Sequence, residues 1–354
     1  MKSCIPAVRL WLFIGVAMVF VQIILGGITR LTGSGLSITR WEIVTGTIPP
    51  LNAQQWQEAF ELYKQTPQYH KINYDMDLEE FKTIYWWEYV HRLWARLMGF
   101  VFLIPFLYFY FKGMLYKGLL RRLGVVVLLA ALAASMGWIM VASGLVDRPW
   151  VNAYKLSLHL GIGIAVFGYL LRTAWFETPM PKVIAPDSLV RALKVFLILL
   201  FLQILVGGAV SGMKAAIYYP TWPLMNGEWI PSVLLQSEHW TWENLKAYDT
   251  HRFAPALIQF THRSIAYILW IVAVYLLIKY YKRVPLEIHL FLLLLLMVLT
   301  IQLILGIYTV INSRGYIPVT LGVFHQMGAV VTLAVAYSLY HWLRYRGACG
   351  LDKL

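Results

Sequence analysis

Eight runs of about 20 mostly apolar residues leave this chain one environment in which to fold, because a helix rising 1.5 Å per residue needs that length to cross the hydrocarbon of a bilayer. The runs lie near residues 8–29, 87–111, 123–145, 154–175, 190–212, 255–280, 287–311 and 319–343. In hydrocarbon every main-chain polar group must be satisfied internally, and an apolar run of this length does so within itself as a helix. The expected fold is therefore all-α: a polytopic membrane protein with eight transmembrane helices. Composition agrees, since 60% of the 354 residues are hydrophobic and 13% are charged, well outside the soluble range.

The net charge of +13 reads as topology. Lys112, Lys117, Arg121 and Arg122 follow the second span, Arg172, Lys182, Arg191 and Lys194 the fourth, and Lys279, Lys282 and Arg283 the sixth. With Lys2, Arg9, Arg344, Arg346 and Lys353 at the ends, the positive-inside rule places both termini in the cytoplasm. The basic residues are spread over several membrane-flanking loops, which argues against a nucleic-acid partner. No A-x-A-type cleavage site accompanies the first span, so it is expected to stay as an uncleaved helix in a bacterial plasma (inner) membrane. Cys4 and Cys349 stand far apart on the reducing side and suit neither a disulfide nor a metal motif.

A repeat organises the chain. Gln22-Ile23-Ile24-Leu25-Gly26-Gly27 aligns with Gln203-Ile204-Leu205-Val206-Gly207-Gly208 at an offset of 181, and Trp41 with Trp222, Gly46 with Gly227 and Pro50 with Pro231 keep that register. Further on, His91-Arg92 matches His262-Arg263 and His159 matches His325. Two four-helix bundles are expected, residues 1–180 and 181–354. Each holds an even number of spans, so a pseudo-two-fold axis should run along the membrane normal. The paired glycines suit either close helix contact or main-chain approach to a flat cofactor.

Two short amphipathic helices are expected in the outer loop 30–86. One runs from about Asn52 to Gln65 with Trp56, Phe60 and Tyr63 on one side. The other opens at Asp77-x-x-Glu80, a capping-box pattern, and turns Leu78, Phe81, Ile84 and Tyr85 to one face. Both should form a lid on the membrane surface.

His91, His159, His262 and His325 each fall one to two turns inside the outer end of an even-numbered span, roughly 8 to 12 Å deep by the helix rise. An imidazole in lipid is costly unless it pairs or binds something. A lone one serves as an interhelical hydrogen-bond donor, but four at matched depth in matched repeats suggest haem ligation, in which two imidazoles on different helices of a bundle face one iron. Zinc is disfavoured because no closely spaced set such as H-E-x-x-H occurs. Arg30, Arg92, Arg96 and Arg263 are candidate partners for haem propionates. His70, His239, His251, His289 and His341 read as solvated or interfacial.

Glu88 stands three residues before His91, on nearly the same helical face, whereas Gln259 holds that place before His262. A carboxylate can take or give a proton and an amide cannot, so the first half suits chemistry and the second a permanent cofactor. The competing reading of Glu88 is an ion pair with Arg92.

Several longer motifs carry a family resemblance. Gly26-Gly27-Ile28-Thr29-Arg30-Leu31-Thr32, Ser34-Gly35-Leu36-Ser37, Pro49-Pro50-Leu51, Glu79-Glu80-Phe81-Lys82-Thr83-Ile84 and Glu88-Tyr89-Val90-His91-Arg92 resemble the haem A synthase family. Thr221-Trp222-Pro223-Leu224-Met225, Gln259-Phe260-Thr261-His262-Arg263 and His325-Gln326 continue the likeness. The resemblance spans about residues 15–335. It implies an oxidoreductase that converts the C8 methyl of haem O to a formyl group by two successive hydroxylations and loss of water, giving haem A for cytochrome oxidase. It also implies haem b (iron) on His262 and His325, substrate haem O at His91 and His159, and Glu88 as the catalytic carboxylate. Some members carry a cysteine pair in the first outer loop; residues 30–86 contain none. Ala95 stands where a glycine is common.

Without the family, the alternative is a di-haem b-type membrane electron-transfer cytochrome, against which the Glu88/Gln259 asymmetry argues. A repeat-built transporter fits poorly, since the spans lack interrupted helices and further buried charges. Beyond haem O and membrane lipid, the candidate partners are a haem O synthase, an electron donor and a second copy in a homo-oligomer.

Overall fold

The computed structural model describes residues 5–39, 47–144, 148–181 and 183–345, and they are helical throughout the expected spans. In chain order the α-helices are α1 (Pro6–Leu31), α2 (Ala53–Lys64), α3 (Pro67–Lys71), α4 (Leu78–Phe111), α5 (Lys117–Gly144), α6 (Ala153–Phe176), α7 (Asp187–Gly212), α8 (Ala215–Tyr218), α9 (Trp242–Lys246), α10 (Phe253–Tyr280), α11 (Leu286–Ile311) and α12 (Val319–Tyr345). Eight of them, α1, α4, α5, α6, α7, α10, α11 and α12, are long and apolar enough to cross a membrane. Cys4, Trp41, Gly46, Lys182 and Cys349 lie outside the described residues.

Lipid tails are as apolar as leucine, so packing depends on close contact and small residues. The helices α1, α6, α7 and α12 pack on one another, with α4 against α1, α5 against α6, α10 against α7 and α11 against both α10 and α12. Small residues set the approach. A Cβ on Gly208 would stand 3.1 Å from the Ser157 Cα, and one on Gly212 only 2.6 Å from that of Ala153. Between these helices lies an apolar core including Ile164, Phe167, Leu193, Phe196, Leu292 and Leu295. The outward faces of α4 and α5 expose Phe100, Leu103, Ile104 and Leu128, as lipid contact allows.

The lid differs from expectation in two respects. Asn52 caps α2 by accepting from the Gln55 main-chain N–H, and Phe60 and Tyr63 bury themselves against Phe81 and Ile84. The capping box at Asp77 and Glu80 also forms, but the helix it opens does not stop. It runs through Trp86 and His91 to Phe111 as one 34-residue helix, because no proline or glycine interrupts residues 78–98. The second surface helix is thus the N-terminal end of α4. A further short helix, α3, was not expected; Thr66 caps it by accepting from the Tyr69 main-chain N–H.

His341 also departs from the interfacial reading. It is buried on α12, edge-on to Phe176 with ring centres 4.9 Å apart, because α12 continues past it to Tyr345.

Candidate functional site

Each of the four predicted histidines sits on an even-numbered membrane span and backs onto a glycine of the span before it. A Cβ on Gly26 of α1 would lie 3.3 Å from Nε2 of His91, and one on Gly137 of α5 3.2 Å from Cε1 of His159. The second pair repeats this. Gly207 of α7 would approach Cε1 of His262 to 3.0 Å, and Gly306 of α11 that of His325 to 2.9 Å. The first glycine of each Gly-Gly pair therefore makes room for an imidazole. The second makes helix contact, with Gln326 crowding Gly27 and Ser157 crowding Gly208.

The rings of His262 and His325 face each other from α10 and α12 with centres 6.2 Å apart and planes at 80°. Two imidazoles on opposite sides of one metal, each bonded at about 2 Å, have ring centres about 6 Å apart. The pair therefore fits a six-coordinate iron. Nδ1 of His262 and Nδ1 of His159 are buried with no side-chain hydrogen-bond partner, as are those of His289 and His341, so this feature alone does not mark a ligand. His91 and His159 are close enough to interact electrostatically.

The surroundings of the two pairs differ. Gln203 on α7 donates through Nε2 to the main-chain carbonyl of His262 at 3.0 Å and approaches its ring nitrogen at 3.4 Å. Gln302 on α11 donates likewise to the carbonyl of His325 at 2.7 Å, with Nδ1 of that ring 3.0 Å from the amide and 3.2 Å from the Gln302 carbonyl. These glutamines and the glycines Gly137 and Gly306 were not singled out from sequence. The signal was present: Gln-x-x-x-Gly occurs at Gln22–Gly26, Gln203–Gly207 and Gln302–Gly306, a spacing that stacks both residues on one helical face.

Glu88 is buried at 2% exposure and fully engaged. Its Oε1 pairs with Arg92, while Oε2 accepts from Ser37 Oγ and from the Ile38 main-chain N–H, both at 2.8 Å. The ion pair weighed from sequence is present, and it reaches the loop after α1. Gln259 is equally buried and donates to the Tyr219 carbonyl at 3.0 Å. Arg92 and Arg263 extend the parallel, donating to the carbonyls of Ile38 and Tyr219, which stand in the 181 register. Arg30 donates to the carbonyls of Ser211 and Gly212 at the end of α7.

What this arrangement can do chemically is grip a metal between His262 and His325, while a second histidine pair, His91 and His159, has a buried carboxylate one turn before His91. Sequence comparison identifies the family. Residues 9–337 match the COX15-CtaA family model, described as a cytochrome oxidase assembly protein. The chain is 41% identical over 345 residues to the haem A synthase of Nitrosospira multiformis, covering 95% of this chain and 93% of that one. It is 45% identical over 269 residues to that of Rhodopseudomonas palustris strain BisB18, covering 76% and 73%, and 39% identical over 347 residues to that of Mesorhizobium japonicum, covering 98% and 92%. With a family match across nearly its whole length and bacterial relatives of this identity, the chain belongs to the COX15-CtaA family of cytochrome oxidase assembly proteins.

Proposed function

We propose that this membrane protein is a haem A synthase, an oxidoreductase that converts the C8 methyl of haem O to a formyl group by two successive hydroxylations and loss of water. The observation that carries this reading is the unequal pair of sites: His262 and His325 opposed at 6.2 Å, and a second histidine pair with Glu88 buried one turn outward of His91.

His262 and His325 would hold haem b, which when bound supplies one-electron transfer. His91 and His159 would hold the substrate haem O. Glu88 is the acid–base group of the first site. Arg92, Ser37 and Ile38 fix its carboxyl in place, so its oxygens can hold or pass a proton without reorganising. Gln259 in the matching place can hold the Tyr219 loop but carries no proton, which suits a site where nothing is transformed.

The same reading covers architecture and placement. Residues 1–180 and 181–354 form two duplicated bundles related by a pseudo-two-fold axis along the membrane normal. The matched glycine–histidine contacts and the matched bonds of Arg92 and Arg263 support this. Loop charge places both termini in the cytoplasm of a bacterial inner membrane, with both haem sites toward the outer face.

The test is to purify the protein, extract its non-covalent haems and weigh them. Haem b together with haem O, its hydroxylated intermediate or haem A is expected. Haem b alone at two per chain, unchanged when haem O is supplied, would instead make it an electron relay.

A further inference from the structure

Four odd-to-even helix contacts cradle the four histidines, and a glutamine stands one turn before the cradling glycine in three of them: Gln22, Gln203 and Gln302. The fourth place, before Gly137, is Ala133. In the second pair both glutamines reach across to the histidine and bond its main-chain carbonyl. In the first pair no glutamine-to-histidine bond forms among the described residues. The side-chain oxygens of Gln22, Gln203 and Gln302 are alike buried without a partner, so the difference lies in the amide N–H donors, and alanine has no amide to offer.

The difference extends to the space around the clamp. Gln302 needs room on α12, and Gly328, three residues past His325, provides it: a Cβ there would overlap the Gln302 side-chain oxygen. Three residues past His159 the register places Ile162. The His325 contact therefore combines a long amide with a glycine and the His159 contact a short methyl with a branched apolar side chain, while at His262 the amide of Gln203 stands with Ile265.

We propose that Gln203 and Gln302 are positioning residues that lock the second histidine pair onto its iron, and that Ala133 with Ile162 leaves His159 as the releasable ligand of the first. A clamp that fixes both the main chain and the ring of a ligand leaves the imidazole one orientation, and outer contacts of this kind change metal affinity about 10- to 100-fold. His159 meets Gly137 and the main chain of Ala133 but has no amide on its own carbonyl, so its turn of helix is less fixed and the imidazole can swing away. The site that must admit and discharge a haem, and that needs an open position on iron during turnover, is the one built without the amide. This inference rests on the assignment of His91 and His159 to substrate haem and of His262 and His325 to haem b.

The experiment transplants the clamp in the full-length, detergent-purified protein. Ala133→Gln combined with Ile162→Gly should convert the first-site haem to a fully low-spin spectrum and slow carbon monoxide binding to the ferrous form about 10-fold or more, because carbon monoxide enters only where an imidazole has left. Ala133→Met with Ile162→Gly supplies similar length without the amide and should leave carbon monoxide binding as in the parent. Equal slowing by both double variants, or by neither, would overturn the proposal. In the other direction, Gln302→Met should lower haem b retention through repeated washing about 10-fold and admit carbon monoxide at the second site; unchanged retention refutes the locking role. A failure of the underlying assignment shows separately, as full haem b retention in His262→Ala.

Discussion

Glu88 and Arg92, one turn apart on α4, close a buried ion pair whose second carboxylate oxygen holds Ser37 and Ile38. The same side chain thus ties the loop after α1 to the helix that carries His91. In the other half Gln259 and Arg263 tie Tyr219 to α10, so loop anchoring needs no charge at this place. The carboxylate is what distinguishes the first site.

Glu88→Gln is accordingly expected to keep haem b at the parental level while haem A formation falls about 100-fold or more, the scale of a lost acid–base group. Extracted haems separated and weighed from both proteins give the measurement. Normal haem A yield from the variant would leave Glu88 with anchoring alone.

Removing either imidazole of the facing pair should empty one site and spare the other. His262→Ala and His325→Ala are each expected to lower haem b per chain about tenfold or more, whereas His91→Ala and His159→Ala retain it and lose haem O binding. Haem content by the alkaline pyridine spectrum, with and without added haem O, separates these outcomes. Loss of haem b in all four variants would show that the pairs are not independent.

The glycines behind the rings should matter as much as the rings. Gly306→Val places side-chain carbons against His325, where even a Cβ would lie 2.9 Å from the ring, and is expected to reduce haem b retention about tenfold with the ligand itself intact. Gly99→Ala, where a Cβ meets nothing within 4 Å, is the matched substitution that should leave retention alone. Equal behaviour of the two would dispose of the cradle.

The lid should loosen in alkali. Burial raises the Tyr63 hydroxyl to about 12, opposed by its bond from Asn73 and assisted by the nearby negative charge of Glu88. The folded lid holds this proton while an unfolded chain releases it near about 10. The stabilisation is therefore complete below about pH 10 and is lost as pH rises toward 12. Cleavage between α2 and α4 by an alkaline-active protease should accelerate over that range. Tyr63→Phe, which loses its bonds with Gln68 and Asn73, should be cut somewhat faster at all pH values but with a shallower rise; an undiminished rise would exclude Tyr63 as the source.

The amino-acid sequence by itself determined the eight spans, the place of the four histidines along them and the odd acid at position 88, because hydrophobic length and helical spacing are local properties. It also held the capping box at Asp77 and Glu80 and the Asn52 cap, which close within one turn. What it did not decide was where α4 begins, since an amphipathic turn feeding a membrane span looks the same whether or not the helix breaks between them. Only the tertiary structure decided which glycine backs which histidine, that the Gln203 and Gln302 amides bond the carbonyls of His262 and His325, and that Glu88 reaches Ile38. Those contacts join residues from 19 to 65 positions apart in the chain, and they exist only once each helix has chosen its neighbour.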